Sequence, residues 1–197
     1  MNHQKATLSR YLQSGREALL WKMEGLSEYD ARRPMVPTGT NLLGIVKHVA
    51  SVEAGYLGDC FERPFEQRFP WFDESAEPNA DMWATADESR RDIVDLYHRV
   101  WEHSDATIAD LDLDAQGSVP WWPEPRRTVT LHQILVHMIA ETHRHAGHAD
   151  LVRELIDGST GLRPDNSNLP SEDAQWWREY WQRLEDTARQ VGGQDPR

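Results

Sequence analysis

Apolar residues recur along this chain at helical spacing, in four long stretches separated by segments rich in proline and glycine. The first stretch, residues 8–25, sets Leu8, Leu12, Leu19 and Met23 on one face. Pro34 and Pro37 stop it, because each proline removes a backbone donor and fixes its own φ. A second helix starts at Thr40, a side chain suited to N-capping, and ends at Gly58 with Leu42, Ile45, Val49, Val52 and Tyr56 as its apolar face. Residues 62–79 hold three prolines and several aromatics and read as a long, ordered loop. Thr85 to Glu88 has the spacing of a capping box and opens a third helix, with Ile93, Leu96, Tyr97, Val100 and Trp101 inward and an end near Asp110. A second capping box, Thr130 to Gln133, opens a fourth helix that runs to Asp157 before Gly158. After Arg163-Pro164 comes loop, then a short extra helix from about Ser171 carrying Trp176, Trp177, Tyr180, Trp181 and Leu184. No segment alternates as a strand over more than a few residues. The pattern predicts an all-α protein, a four-helix bundle with long connections, forming one domain over residues 1–197.

The fourth helix changes the picture. Five of the nine histidines fall between His132 and His148. Ile134, Met138, Glu141, His145, His148, Val152 and Leu155 step by four and three, which is one stripe of a helix with apolar ends. Its middle is therefore a carboxylate and two imidazoles, while His137 lies about 40° to one side and His132 and His143 fall opposite. Such groups in a core cost several kcal/mol unless they are paired or bind a cation. Glu141 and His145 are four apart and reach one ion from the same side. His48, among the apolar positions of the second helix, is the candidate third ligand from a neighbouring helix.

Taken singly, each feature has a plainer reading: His48 as a hydrogen-bonded core histidine, Glu141 and His145 as a surface pair. Matching buried faces on two helices favour a metal. One carboxylate and two imidazoles suit one divalent ion, zinc first, with nickel, iron or manganese as alternatives, and leave a coordination position open. His148 is an alternative ligand, an outer partner or a proton carrier. No H-E-x-x-H, no paired Glu-x-x-His, no nucleophile elbow and no phosphate-binding glycine loop competes.

Composition narrows the class. The charge of -12, with no basic run longer than the pairs Arg32-Arg33 and Arg126-Arg127, argues against nucleic acid. No apolar window is long enough for a membrane span, and the N-terminus has no signal-peptide core, so the cytoplasm is the expected setting. Cys60 is alone and is expected to be structural. The nine tryptophans are expected mainly in packing, with ligand stacking as the lesser reading.

Two segments also resemble a known family. Leu42-Leu43-Gly44-Ile45-Val46-Lys47-His48-Val49-Ala50-Ser51-Val52-Glu53 is similar to the second-helix motif of the DinB-like superfamily, and residues 137–150 are similar to its metal-binding helix. The continuation through Gly158, with Gly161-Leu162-Arg163-Pro164 and Asn168-Leu169-Pro170, resembles the actinobacterial branch of mycothiol-dependent transferases and isomerases. Many members present three histidines; here Glu141 stands at the first fourth-helix position, resembling a histidine–glutamate–histidine variant of thiol-dependent members. The resemblance implies a metal held by His48, Glu141 and His145, a low-molecular-weight thiol for S-transfer to, or isomerisation of, a small electrophile, and His148 or His137 moving a proton. A homodimer fits such bundles. Two alternatives stay open: a metal-dependent hydrolase, and a non-enzymatic, metal-stabilised binding module of the stress response.

Overall fold

The computed structural model describes residues 3–164 and 166–193. It comprises two compact units, residues 1–160 and 161–197. The first holds five helices: α1 (His3–Trp21), α2 (Glu28–Arg32), α3 (Leu42–Leu57), α4 (Arg90–Asp110) and α5 (Leu131–Asp157). It also holds two three-residue strands, β1 (Gln116–Ser118) and β2 (Thr128–Thr130), paired antiparallel with Gly117 opposite Val129. Around the bundle the order is α1, α5, α3, α4, closing with α4 on α1. The fold is all-α, as the periodicity predicts.

Residue pairs give the helix directions. Tyr11 meets His143 and Lys22 meets Arg153, so α1 and α5 run parallel. Lys47 meets Glu88 and Gly58 lies against His103, so α3 and α4 are parallel neighbours. Two adjacent parallel helices cannot be joined by a tight turn. The chain must return along a helix about 24 Å long, and residues 58–89 make that crossover.

α3 is the central element, with thirteen of its sixteen residues buried. Its cap is Asn41, one residue after the Thr40 expected from the sequence; the Asn41 side chain accepts from the Gly44 N–H at 2.8 Å. α4 likewise starts later than the Thr85–Glu88 box predicts. Half of that box forms, as an isolated turn: the Glu88 carboxylate accepts from the Thr85 N–H at 2.8 Å and pairs with Lys47, while the Glu88 N–H donates to the Thr85 carbonyl rather than its hydroxyl. Ser89 caps the helix instead. α5 begins and ends where expected, with Thr130 as cap and Gly158 in the left-handed region at φ 76°. Other features also depart from the sequence reading: α2, the small β1–β2 ribbon, which is too short to alternate, and Leu155, which is 63% exposed so that the α5 stripe ends at Val152.

Two apolar clusters fill the bundle. One gathers Leu19, Met23, Leu42, Ile45, Val49, Tyr97 and Val152. The other gathers Leu12, Tyr56, Leu57, Ile108, Ile134 and Met138, and includes Val129 of β2 and Val119 just after β1. Cys60 packs in the second cluster, and burial pushes its thiol up to about 12, consistent with a structural role.

Polar groups lie between the clusters. Arg16 of α1 donates to the fully buried Glu53 of α3 at 2.5 and 3.2 Å and to Asp105 of α4 at 2.9 Å. Burial acts to raise the Glu53 pKa, and Arg16 acts against it. The guanidinium is itself held charged by Glu53 and Asp105, so the pair persists only as a whole.

The second unit holds α6 (Ala174–Gly192), capped by Asp173, with the Trp176 and Tyr180 rings stacked at 5.1 Å. At nineteen residues it is longer than the short helix expected.

Removing one member of the Arg16–Glu53 pair leaves an uncompensated buried charge. Arg16→Met is expected to cost about 3–5 kcal/mol, a Tm loss on the order of 10 °C. Adding Glu53→Leu should restore part of it. Thermal unfolding followed by circular dichroism tests this, and a single variant within a degree of wild type would contradict it.

Candidate metal centre

The helical period brings His48, Glu141 and His145 together. α3 and α5 run antiparallel, with His48 level with Glu141 and His145, and Tyr56 level with His137 two turns along. Glu141 Oε1 lies 3.1 Å from His145 Nε2 and 3.6 Å from His48 Nε2. All three donor atoms fall within 4.8 Å of one another. Two ligands about 2.1 Å from a tetrahedral ion are about 3.4 Å apart, so these separations suit one small cation.

A residue that sequence reasoning missed sharpens the case. Asp81, on the crossover, accepts from His48 Nδ1 at 2.6 Å. That bond fixes the proton on Nδ1 and leaves the Nε2 lone pair facing the Glu141 carboxylate. Two lone pairs at 3.6 Å repel unless a proton or a metal ion lies between them. Two carboxylates and two neutral imidazoles would balance a divalent ion.

The crossover is held on α3 by a buried cation. Lys47 donates to the carbonyls of Ala80 and Trp83, both at 3.0 Å, pairs with Glu88 and lies 4.2 Å from the Trp71 ring centre. Asp81 lies between the two anchored carbonyls. Gly44 completes the fit: a Cβ there would meet the Met82 carbonyl oxygen at 1.8 Å, so only glycine lets the loop approach.

Burial, and then neighbouring His48, hold the His145 pKa below the ordinary imidazole value. Burial alone would raise Glu141, but the imidazoles of His145 and His48 bring it below the usual carboxylate range. Both groups are thus ready to coordinate at neutral pH. The His145 Nδ1 is buried with no hydrogen-bond partner among the described residues, so His145 lacks the outer anchor that Asp81 gives His48.

The remaining histidines separate. His137 lies beside Tyr56 and Trp122 and lines the cavity next to the cluster; burial lowers its pKa and Glu141 partly offsets that. His148 touches the His145 ring, with centroids 5.4 Å apart, but lines another groove with Val36, Thr38 and Leu151. A step of three residues turns 300° around the helix, and carries His148 off the axis that Glu141 and His145 share. His132 and His143 are exposed, as expected.

Glu141 and His48 open onto a cavity of about 670 Å³, walled by Tyr56, Phe69, Phe72 and Trp121. That volume suits a small organic ligand. Its outer wall is the same crossover loop that carries Asp81.

The class these observations define is an all-α bundle with a histidine–glutamate–histidine cluster between two helices. A family profile described as mycothiol-S-transferase matches residues 7–158, and the chain belongs to that DinB-like family. Among solved structures, a conserved protein from Enterococcus faecalis superposes with a TM-score of 0.58 at 16% identity, over 81% of this chain and 99% of that one. This likeness bears on the fold alone. No curated protein matches. Among the described residues, no helix is long and apolar enough to cross a membrane.

If Asp81 orients His48 for a metal, Asp81→Asn should weaken zinc affinity about 10- to 100-fold while leaving one site. Competition with a chromogenic chelator measures this; an unchanged affinity would contradict the assignment. Protons compete with the metal for the same nitrogens, so affinity should fall as pH drops from 7.5 to 5. The depressed His145 pKa moves the onset below that of an ordinary imidazole.

Proposed function

We propose that this chain is a metal-dependent S-transferase that joins a low-molecular-weight thiol of the mycothiol type to a small electrophile. Membership of the mycothiol-S-transferase family supports the thiol. The observation that carries the reading is the opening of the cluster onto the aromatic-walled cavity, which gives a ligand access to one side of the site. His48, Glu141 and His145 would hold one divalent ion, with zinc as the expected occupant. When bound, the ion favours the thiolate, the nucleophilic form, at neutral pH.

The protein's own groups do the rest. Asp81 keeps the His48 ring in the orientation and tautomer that expose Nε2. His137, uncharged at neutral pH because of its burial, takes the thiol proton within the cavity. The sulfur electron pair forms the new C–S bond; the displaced pair departs with a leaving group or, at a carbonyl or quinone, moves onto the oxygen, which takes the proton back from His137. Phe69, Phe72 and Trp121 exclude water from one side of the electrophile. His148, lining another groove, acts through its contact with the His145 ring rather than on the ligand. The cytoplasm and a role in detoxification belong to the same reading, as does a homodimer.

The test is turnover of an aryl halide such as chlorodinitrobenzene by zinc-loaded protein, with mycothiol as the thiol. The reading predicts a rate that needs both thiol and metal and falls at least 100-fold in His145→Ala. Ester hydrolysis without thiol would favour the hydrolase instead. Metal binding with neither activity would favour a binding module.

A further inference from the structure

The cavity beside the cluster contains a hydrogen-bond donor that the proposed thiol chemistry leaves unused. Tyr56 is in the last turn of α3, and its hydroxyl oxygen accepts from two indoles: Trp122 Nε1 at 2.9 Å and Trp121 Nε1 at 3.2 Å. A phenol oxygen has two lone pairs, so both are committed. What remains is its own proton, for which no acceptor lies within hydrogen-bond distance among the described residues. The two indoles therefore turn an ambivalent hydroxyl into a donor only.

Apart from the ring N–H of His137, the other side-chain donors of the cavity wall are already committed. The Ser51 hydroxyl gives its proton to the Lys47 carbonyl at 2.7 Å, and its oxygen accepts from Trp71 Nε1. His48 Nδ1 is engaged by Asp81, and Trp121 Nε1 by Tyr56 itself. No lysine or arginine lines the cavity, whereas Asp59 and Glu141 do, so an anionic ligand finds no counter-charge in the wall. The flat groups that remain open are Phe72 and Trp121, 52% and 55% exposed.

We infer that this cavity selects uncharged, planar aromatic compounds bearing an oxygen acceptor, such as aryl ketones, aldehydes and quinones, through a hydrogen bond donated by Tyr56. The aromatic walls take the ring faces, and the Tyr56 proton takes the acceptor oxygen. Tyr56 is a specificity residue in this account: it recognises the ligand and has no part in metal binding. The inference names the electrophile class for the proposed transferase and so rests on that reading for its biological sense. Its physical test does not.

The test compares 2-acetylnaphthalene with 2-isopropenylnaphthalene, which has nearly the same shape but a methylene in place of the carbonyl oxygen. Affinities are read by saturation-transfer NMR titration on the full chain, with no thiol and no added metal. Wild type should bind the ketone about five- to tenfold more tightly than the alkene, the worth of one neutral hydrogen bond. Tyr56→Phe should bring the two affinities to within a factor of two and leave the alkene affinity unchanged, which also reports an intact cavity. Trp122→Phe keeps the Tyr56 proton, so the ketone preference should survive in it. Equal binding of ketone and alkene by wild type would overturn the inference, as would a preference that persists in Tyr56→Phe. Loss of thiol transfer in a separate assay would count against the transferase reading alone.

Discussion

The site depends on one buried cation. Lys47 enters the bundle on α3, the most enclosed helix, and its ammonium needs partners there. The crossover supplies them: two backbone carbonyls, a carboxylate and an indole face. Phe65, Phe69 and Trp71 of the crossover add apolar packing against Ala54, Leu96 and Val100, and Trp71 Nε1 donates to Ser51. With Lys47, Asp81 reaches the next residue, His48, and fixes its ring. A charge that would be costly alone thus sets the tautomer of the neighbouring histidine.

The same helix shows how ionisable groups are distributed in a core. Lys47, His48 and Glu53 project from α3 toward different neighbours: the crossover, α5 and α1. Each is answered by a partner from another element, so the polar layer between the two apolar clusters fixes the relative height of four helices. Apolar contacts alone are tolerant of sliding; directional ion pairs are not. The cavity is a consequence of this arrangement, because the crossover that carries Asp81 also provides Phe69 and Phe72 as its wall.

Much of this was legible in the sequence, for a definite reason. Helical periodicity converts residue number into direction, so the sequence alone puts His48, Glu141 and His145 on facing sides of two helices. Periodicity carries less information at His148 and Leu155, where a step of three residues turns the side chain away from the shared axis. Asp81 was illegible. It sits on a loop with no period, among many acids, and only the crossover geometry brings it to His48. The Thr85–Glu88 box misled because its glutamate serves a buried lysine far away in sequence, and local chemistry cannot register that demand. The ribbon of β1 and β2 left no pattern because three residues cannot alternate visibly. Tyr56 stands at an apolar position of the α3 pattern, and its place as an acceptor for two indoles depends on a loop whose path the sequence does not disclose.

The account stands on a metal ion held by His48, Glu141 and His145. The most direct measurement is the metal content, by mass spectrometry, of tag-free protein supplemented with zinc, nickel and manganese, for wild type and His145→Ala side by side. The account predicts about one ion per chain in wild type and loss of that ion in the variant with the helical spectrum retained. A wild-type protein that stays metal-free after supplementation would contradict it, and the three residues would then be a hydrogen-bonded network with a proton in place of the ion.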